Sequence, residues 1–450
     1  TTDHRPQTIE KAIINITHRI IHRPMSLPIL SRWLAVFACW LSLAPSAQAE
    51  ADVAHQLFDS NATAVFQIRV IDTAANNKSS TGTGFLVTSS GILATNYHVV
   101  ASAIDAPAKY RIEMLLQDQS VRPATVLNVD IVNDLALLQV APMAVAPLPL
   151  ATRESAKGET VYSIGFPYDL GITVIDGTYN GLAPHSVTQR VHFAGALNPG
   201  MSGGPAFNRR GEVIGVNVAT AGNQMSFLIP VRMLAQLLQA PPMATQTDLP
   251  ATLSAQLAAN SQRVITELLA GDWSTQPLGG AQALGEVTAF LRCWGSSKDM
   301  RDKTDKQPFF ASRACQTDHN IFLSQSLTTG SIELQFYWIE TAELNPFQFY
   351  DYYQRIFAAY RPGNFGGSQE LGNWACDENF VLADADTSER TKTVFCLRAY
   401  KKFTGLYDVL FLQGSVDRTR QAFMTHFTMA GTTREMALAF TRKFMDSGVW

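Results

Sequence analysis

The sequence predicts an all-β domain, barrel or sandwich, over the first half of the chain and an α+β domain over the second. Three observations carry this expectation. From about Ala64 to Pro230, short apolar strands alternate with turn residues. After Pro230 the pattern changes to helical spacing in "VRMLAQLLQA" and then to the polar, proline-bearing "PPMATQTDLPAT", which sets a boundary near residue 245. Every cysteine beyond residue 50 lies in the second half, at Cys293, Cys315, Cys376 and Cys396.

Taken in order, residues 1–24 read as an upstream extension preceding Met25, outside the mature protein. Residues 25–49 read as a secretory signal peptide: Arg32 near the start, an apolar run from Trp33 to Ala44 broken only by Ser42, and Ala47-Gln48-Ala49 as the cleavage box. The run is shorter than the roughly 18 to 20 residues a membrane span needs, so no transmembrane anchor is expected after cleavage. Cys39 would leave with the leader. The expected destination is the periplasm or the exterior.

Within 50–240 the strand candidates are "AVFQIRV", "TGFLVT", "GILATN", "YRIEMLLQ", "SVRPATVLNVD", "LALLQV", "TVYSIGF", "VTQRVHFAG", "EVIGVNV" and "MSFLIP". Residues 241–275 read as a linker and a helix, the helix running from Ser254 to Ala270. In 276–450, "IFLSQSLTTGSIELQFYWIE" reads as a hairpin turning at Thr329-Gly330, followed by a helix near Pro346 to Tyr360. "TTREMALAFTRKFMDS" reads as a closing helix with Thr432 or Thr433 as its cap.

A net charge of −3 and a pI near 6.3 provide no basic field, so neither nucleic acid nor an anionic membrane is an expected partner. An even set of four cysteines in an exported chain points to two disulfides. No C-x-x-C pair accompanies them and no His/Glu pair stands at helical spacing, so no metal and no cofactor are expected.

The stretch "NPGMSGGPAFNRRGEVIGVNV" sets Ser202 among Gly200, Gly203 and Gly204 and runs into a strand. A serine hydroxyl is a poor nucleophile near neutral pH. It needs a neutral imidazole beside it and a carboxylate that fixes the imidazole's tautomer. "TSSGILATNYHVVASA" supplies His98 just after a strand, and "VDIVNDLALLQV" supplies Asp134 just before one, with Asp130 as the competing acid. Histidine, aspartate and serine thus follow in one β-rich segment.

"TGTGFLV", "GILATNYHVV", "NDLALLQV", "SIGFPYDLGITVIDG", "ALNPGMSGGPAFN" and "GEVIGVNVATA", in that order over about residues 60 to 240, resemble the trypsin-like serine peptidases of the HtrA type. The resemblance implies a chymotrypsin-like pair of six-stranded barrels with the site in the cleft between them. It implies that His98 is the general base, Asp134 its orienting acid and Ser202 the nucleophile. The N–H groups of Gly200 and Ser202 would form the oxyanion hole. Leu197, Asn198 and Asn217 would line a substrate pocket without formal charge, suited to an uncharged P1 side chain. Met201 stands where the family carries a polar residue, and its side chain is expected to point away from the site.

No PDZ carboxylate-binding loop is recognisable in the second half. There, two stretches of cysteine pair, strand, strand and helix suggest two β-β-α repeats offset by 88 residues, "NIFLSQS" at Asn320 corresponding to "DVLFLQGS" at Asp408. The repeat would pair Cys293 with Cys315 and Cys376 with Cys396, and this domain would bind substrate or a partner protein. The function expected is that of an exported serine endopeptidase acting on protein or peptide. The alternative is a silent pseudo-protease that serves as an envelope binding or scaffold protein.

Overall fold

The computed structural model describes residues 46–447 apart from 221, 223–224, 243–248, 299–307, 319, 361–363, 365 and 383–388. The upstream extension and the expected signal peptide lie outside the described residues, except that residues 46–49 open helix α1 (Ser46–Asn61). From Val53 onward the chain forms one unit.

Six antiparallel strands follow α1: β1 (Val65–Asp72), β2 (Asn77–Leu86), β3 (Ile92–Thr95), β4 (Tyr110–Leu115), β5 (Val121–Asp130) and β6 (Leu135–Gln139). They close in the order β1-β2-β3-β6-β5-β4. Ile68, Val70, Phe85, Leu93, Met114, Leu138 and their neighbours fill the interior. Between β3 and β4 lies helix α2 (Tyr97–Asp105), which buries Tyr97, Val100 and Ala101.

The second barrel comprises β7 (Thr160–Gly165), β8 (Thr173–Leu182), β9 (Val191–Ala194), β10 (Pro205–Phe207), β11 (Val213–Thr220) and β12 (Ser226–Pro230), closed as β10-β11-β12-β9-β8-β7. Two of these six, β8 and β10, are not among the ten strand candidates. β8 carries the turn-forming residues Asp176, Gly177 and Asn180 yet pairs with β7 from Thr173 to Thr178 and with β9 beyond, and β10 is only three residues long.

Helix α3 (Val231–Gln239) packs on strands of both barrels and buries Leu234 and Leu237. Helix α4 (Leu249–Leu269) then serves two cores. Leu253 and Leu257 belong to the core of the barrels, whereas Val264, Ile265 and Leu268 belong to that of the C-terminal half. Gln256 of α4 bonds the backbone of the first barrel at Val129 O (2.9 Å) and Ile131 N (3.0 Å).

The C-terminal half begins with a hairpin, β13 (Thr275–Leu278) and β14 (Ala281–Leu284). It continues with β15 (Arg292–Ser297), β16 (Phe309–Gln316), β17 (Ile321–Ser324), β18 (Leu327–Thr329), β19 (Ile332–Glu340) and helix α5 (Pro346–Ala359). It closes with β20 (Ala375–Leu382), β21 (Arg390–Ala399), β22 (Leu406–Ser415), β23 (Gln421–Thr433) and helix α6 (Arg434–Met445). Seven strands form one antiparallel sheet in the order β15-β16-β19-β23-β22-β21-β20. On one face Phe336, Phe411 and Phe427 pack against Phe440 and Phe444 of α6. On the other, Ile339, Leu412 and Met424 meet Phe349 and Tyr353 of α5. Asn345 and Gln348 cap α5 reciprocally, and Thr433, one of the two expected caps, accepts from Met436 N at α6.

Cys293 is bonded to Cys315 across β15 and β16, and Cys376 to Cys396 across β20 and β21, so each cystine joins an edge strand to its neighbour. The expected hairpin at Thr329-Gly330 does not form. β17 pairs with β18 as a separate two-stranded ribbon, while β19 pairs with β16 and β23. The proposed correspondence of Asn320 with Asp408 therefore fails, because Asp408 lies in the large sheet and Ile321–Ser324 does not. The physical reason is where the apolar side chains go: Ile321, Leu323 and Leu327 join the core of the barrels instead of the sheet's own.

Candidate active site

His98 is the second residue of α2, and Asp134 sits in the turn that opens β6. Asp134 has a φ of +62°, a left-handed conformation that aspartate tolerates better than most residues. Its carbonyl accepts from Tyr97 N at 3.2 Å and Asn96 Nδ2 at 2.9 Å, so the turn is tied to the start of α2. Its carboxylate holds His98 at two points: Oδ1 accepts the His98 backbone N–H at 2.9 Å, and Oδ2 lies 2.7 Å from Nδ1. The competing acid is used elsewhere. Asp130 accepts from Asn133 N (3.0 Å) and Asn133 Nδ2 (2.7 Å), which closes the turn before Asp134.

Burial pulls the His98 imidazole down, but the charge of Asp134 and its hydrogen bond outweigh this and leave its pKa above the usual histidine value. The bonded Nδ1 leaves Nε2 as the nitrogen available to a substrate or a nucleophile. The ring meets Phe322 edge-on, with centroids 6.0 Å apart, so a residue of the C-terminal half stands beside the imidazole.

Ser202 lies in the loop between β9 and β10. Gly200 has a φ of +98°, and a Cβ there would fall 2.2 Å from the Phe166 carbonyl oxygen, so this position has no room for a side chain. Thr83 of β2 pins the loop across the barrels: its N–H donates to Ser202 O at 2.8 Å and its hydroxyl to Gly200 O at 2.7 Å. Among the described residues, the N–H groups of Gly200 and Ser202 donate to no protein acceptor. Ser202 Oγ is 3.4 Å from the Val218 carbonyl, and this is its hydrogen bond in the structure.

Met201 is fully buried in the core of the second barrel. The expected substrate pocket needs correction. Asn217 is completely buried beneath the loop: Oδ1 accepts from Ser163 Oγ at 2.9 Å and Nδ2 donates to Met201 O at 3.2 Å. Leu197 packs in the same core as Met201. Both are taken up by the barrel and neither is available to a substrate; only Asn198 of the three is partly exposed.

Sequence reasoning missed Thr83, Arg190 and Phe322. Thr83 carries a visible signal, a threonine flanked by glycines in "TGTGFLV", because glycines on both sides let another chain segment approach its backbone. Phe322 and Arg190 carry none, since their place depends on how the two halves of the chain meet.

Residues 82–216 match the family model described as a trypsin-like peptidase domain. Serine protease HTRA3 of Homo sapiens is 31% identical over 170 residues, 35% of this chain and 37% of its own length. A probable periplasmic serine endoprotease, DegP-like, of Ectopseudomonas mendocina is 34% identical over 168 residues, 35% of this chain and 34% of its own. The crystal structure of Deg5 aligns with 42% of this chain and 92% of its own at 26% identity and a TM-score of 0.37. The chain spans little more than a third of the length of the curated relatives it matches. Its double-barrel region is similar to the trypsin-like serine peptidases of the HtrA type.

Proposed function

We propose that the protein is an exported serine endopeptidase that hydrolyses peptide bonds through Ser202, His98 and Asp134 by way of an acyl-enzyme. The observation that carries this reading is the double hold of Asp134 on His98, which leaves Nε2 for catalysis, in a barrel whose Thr83 pins the serine loop. For attack, Ser202 Oγ must exchange the Val218 carbonyl for Nε2 of His98. His98 takes the Ser202 proton as Oγ attacks the scissile carbonyl, and Asp134 stabilises the resulting imidazolium. The N–H groups of Gly200 and Ser202 receive the oxyanion. His98 then protonates the departing amine. A water, deprotonated in turn by His98, attacks the acyl ester and releases Ser202.

The second reading, a silent binding protein of the envelope, has one observation in its favour: the bond of Ser202 Oγ to Val218 O in place of His98. Export to the periplasm or exterior rests on the leader-like residues 25–49 and on one relative described as a probable periplasmic endoprotease. The test is digestion of a reduced, unfolded protein by the wild type and by Ser202→Ala. Cleavage by the first alone supports the endopeptidase. Equal absence in both supports the binding protein.

A further inference from the structure

A cavity of about 340 Å³ adjoins the His98–Asp134 pair, and its walls come from three parts of the chain. The first barrel contributes the pair itself. The second contributes Val218 and Arg190, and the C-terminal half contributes Asp318, Asn320 and Phe322. The segment leading to Arg190 is itself held by the C-terminal half. Val187 packs into that half's core and its carbonyl accepts from Arg263 Nη2 at 3.1 Å, while His185 Nδ1 meets Ala289 O at 2.9 Å.

Arg190 is 8% exposed and lines this cavity. Among the described residues its side chain makes one hydrogen bond, from Nη1 to the adjacent Gln189 carbonyl at 3.3 Å. A guanidinium has five donors and stays charged, so most of its capacity is unused. Burial pulls its pKa down, with the charges of Asp134 and Asp130 opposing. Among the described residues no carboxylate bonds it. Asp134 is engaged with His98, Asp130 with Asn133, and Asp318 faces the charge of Arg292. A buried cation without a partner is costly, and an incoming carboxylate would meet it in two-point geometry.

We infer that this cavity is a substrate subsite that takes an acidic side chain of the peptide near the scissile bond, with Arg190 as its anchor and Phe322 as its apolar wall. The subsite rests on the endopeptidase reading for its purpose. It gives the C-terminal half a role in selecting substrate, since that half supplies one wall and positions the segment that carries Arg190.

The experiment compares peptides that differ only by Glu, Gln or Lys at each position flanking the scissile bond. Wild type is expected to favour Glu over Gln in kcat/KM by about tenfold or more at one position. Arg190→Gln brings that ratio to about one, and Arg190→Glu shifts the preference to Lys. A wild-type ratio near one at every position, a wild-type preference for Lys, or a ratio that Arg190→Gln leaves intact overturns the subsite. Anisotropy of the same fluorescent peptides on Ser202→Ala reads the preference without turnover. Failure of cleavage with Glu-selective binding would therefore count against the peptidase and not the subsite, and cleavage without Glu selectivity the reverse.

Discussion

Asp134 holds His98 by main chain and side chain at once, at 2.9 Å through Oδ1 and 2.7 Å through Oδ2. One carboxylate therefore fixes both the start of α2 and the tautomer of the ring it carries. Asp134→Asn preserves size and one acceptor but cannot enforce the same tautomer. Turnover is expected to fall by about four powers of ten with the fold intact, read as kcat on a peptide substrate alongside a circular dichroism melt. A fall below tenfold would remove Asp134 from the mechanism.

The raised pKa of His98 sets the pH dependence. The base must be neutral to take a proton, so the acid limb of kcat/KM is expected to turn above the ordinary histidine value of about 6.5. In Asp134→Asn the limb moves down. The same shift stabilises the folded protein fully below the unfolded-state pKa, and that contribution is lost as pH rises through the folded-state value. A pH–rate profile on both proteins checks the first claim and melts across the same range check the second.

Gly200 sits at a φ of +98° against the Phe166 carbonyl. Gly200→Ala is expected to shift the loop that presents its own N–H and that of Ser202, and so to lower kcat by about a hundred- to a thousandfold, with a smaller effect on KM. Steady-state kinetics on a single peptide separate the two. An unchanged kcat would show that the loop adapts and that these N–H groups do not stabilise the transition state.

The barrels were largely legible because their strands are short apolar runs between turn residues. They were legible at β1 and β6, where burial is nearly continuous, and not at β8, where Asp176, Gly177 and Asn180 read as a turn. The triad candidates were legible as residue types in strand context. What sequence could not supply was the destination of a side chain once the chain closed on itself. The resemblance places Asn217 in the substrate pocket, but its side chain faces inward to Ser163 and Met201. Ile321 and Leu323 alternate as a sheet strand would, yet their partners are α2 and the first barrel, a choice that depends on how the two halves pack.

β20 is an edge strand, mostly exposed, and the Cys376–Cys396 bond joins it to β21. Closing a loop of this length contributes about 3 kcal/mol by restricting the unfolded chain. The paired substitution Cys376→Ser with Cys396→Ser is expected to lower denaturant stability by that order and to raise amide exchange first along β20. Peptide mapping without reductant should return Cys293 with Cys315 and Cys376 with Cys396. A bridge between the two pairs would contradict this arrangement.

On the proposed mechanism Ser202 is a nucleophile activated by His98. The most direct measurement is intact-mass spectrometry after exposure to an active-site-directed phosphonate, followed by peptide mapping of the adduct. One adduct per chain on Ser202, absent in Ser202→Ala and slowed by orders of magnitude in His98→Ala, is the expected result. A wild-type protein that takes up no phosphonate, or takes it up at the same rate without His98, would contradict the account.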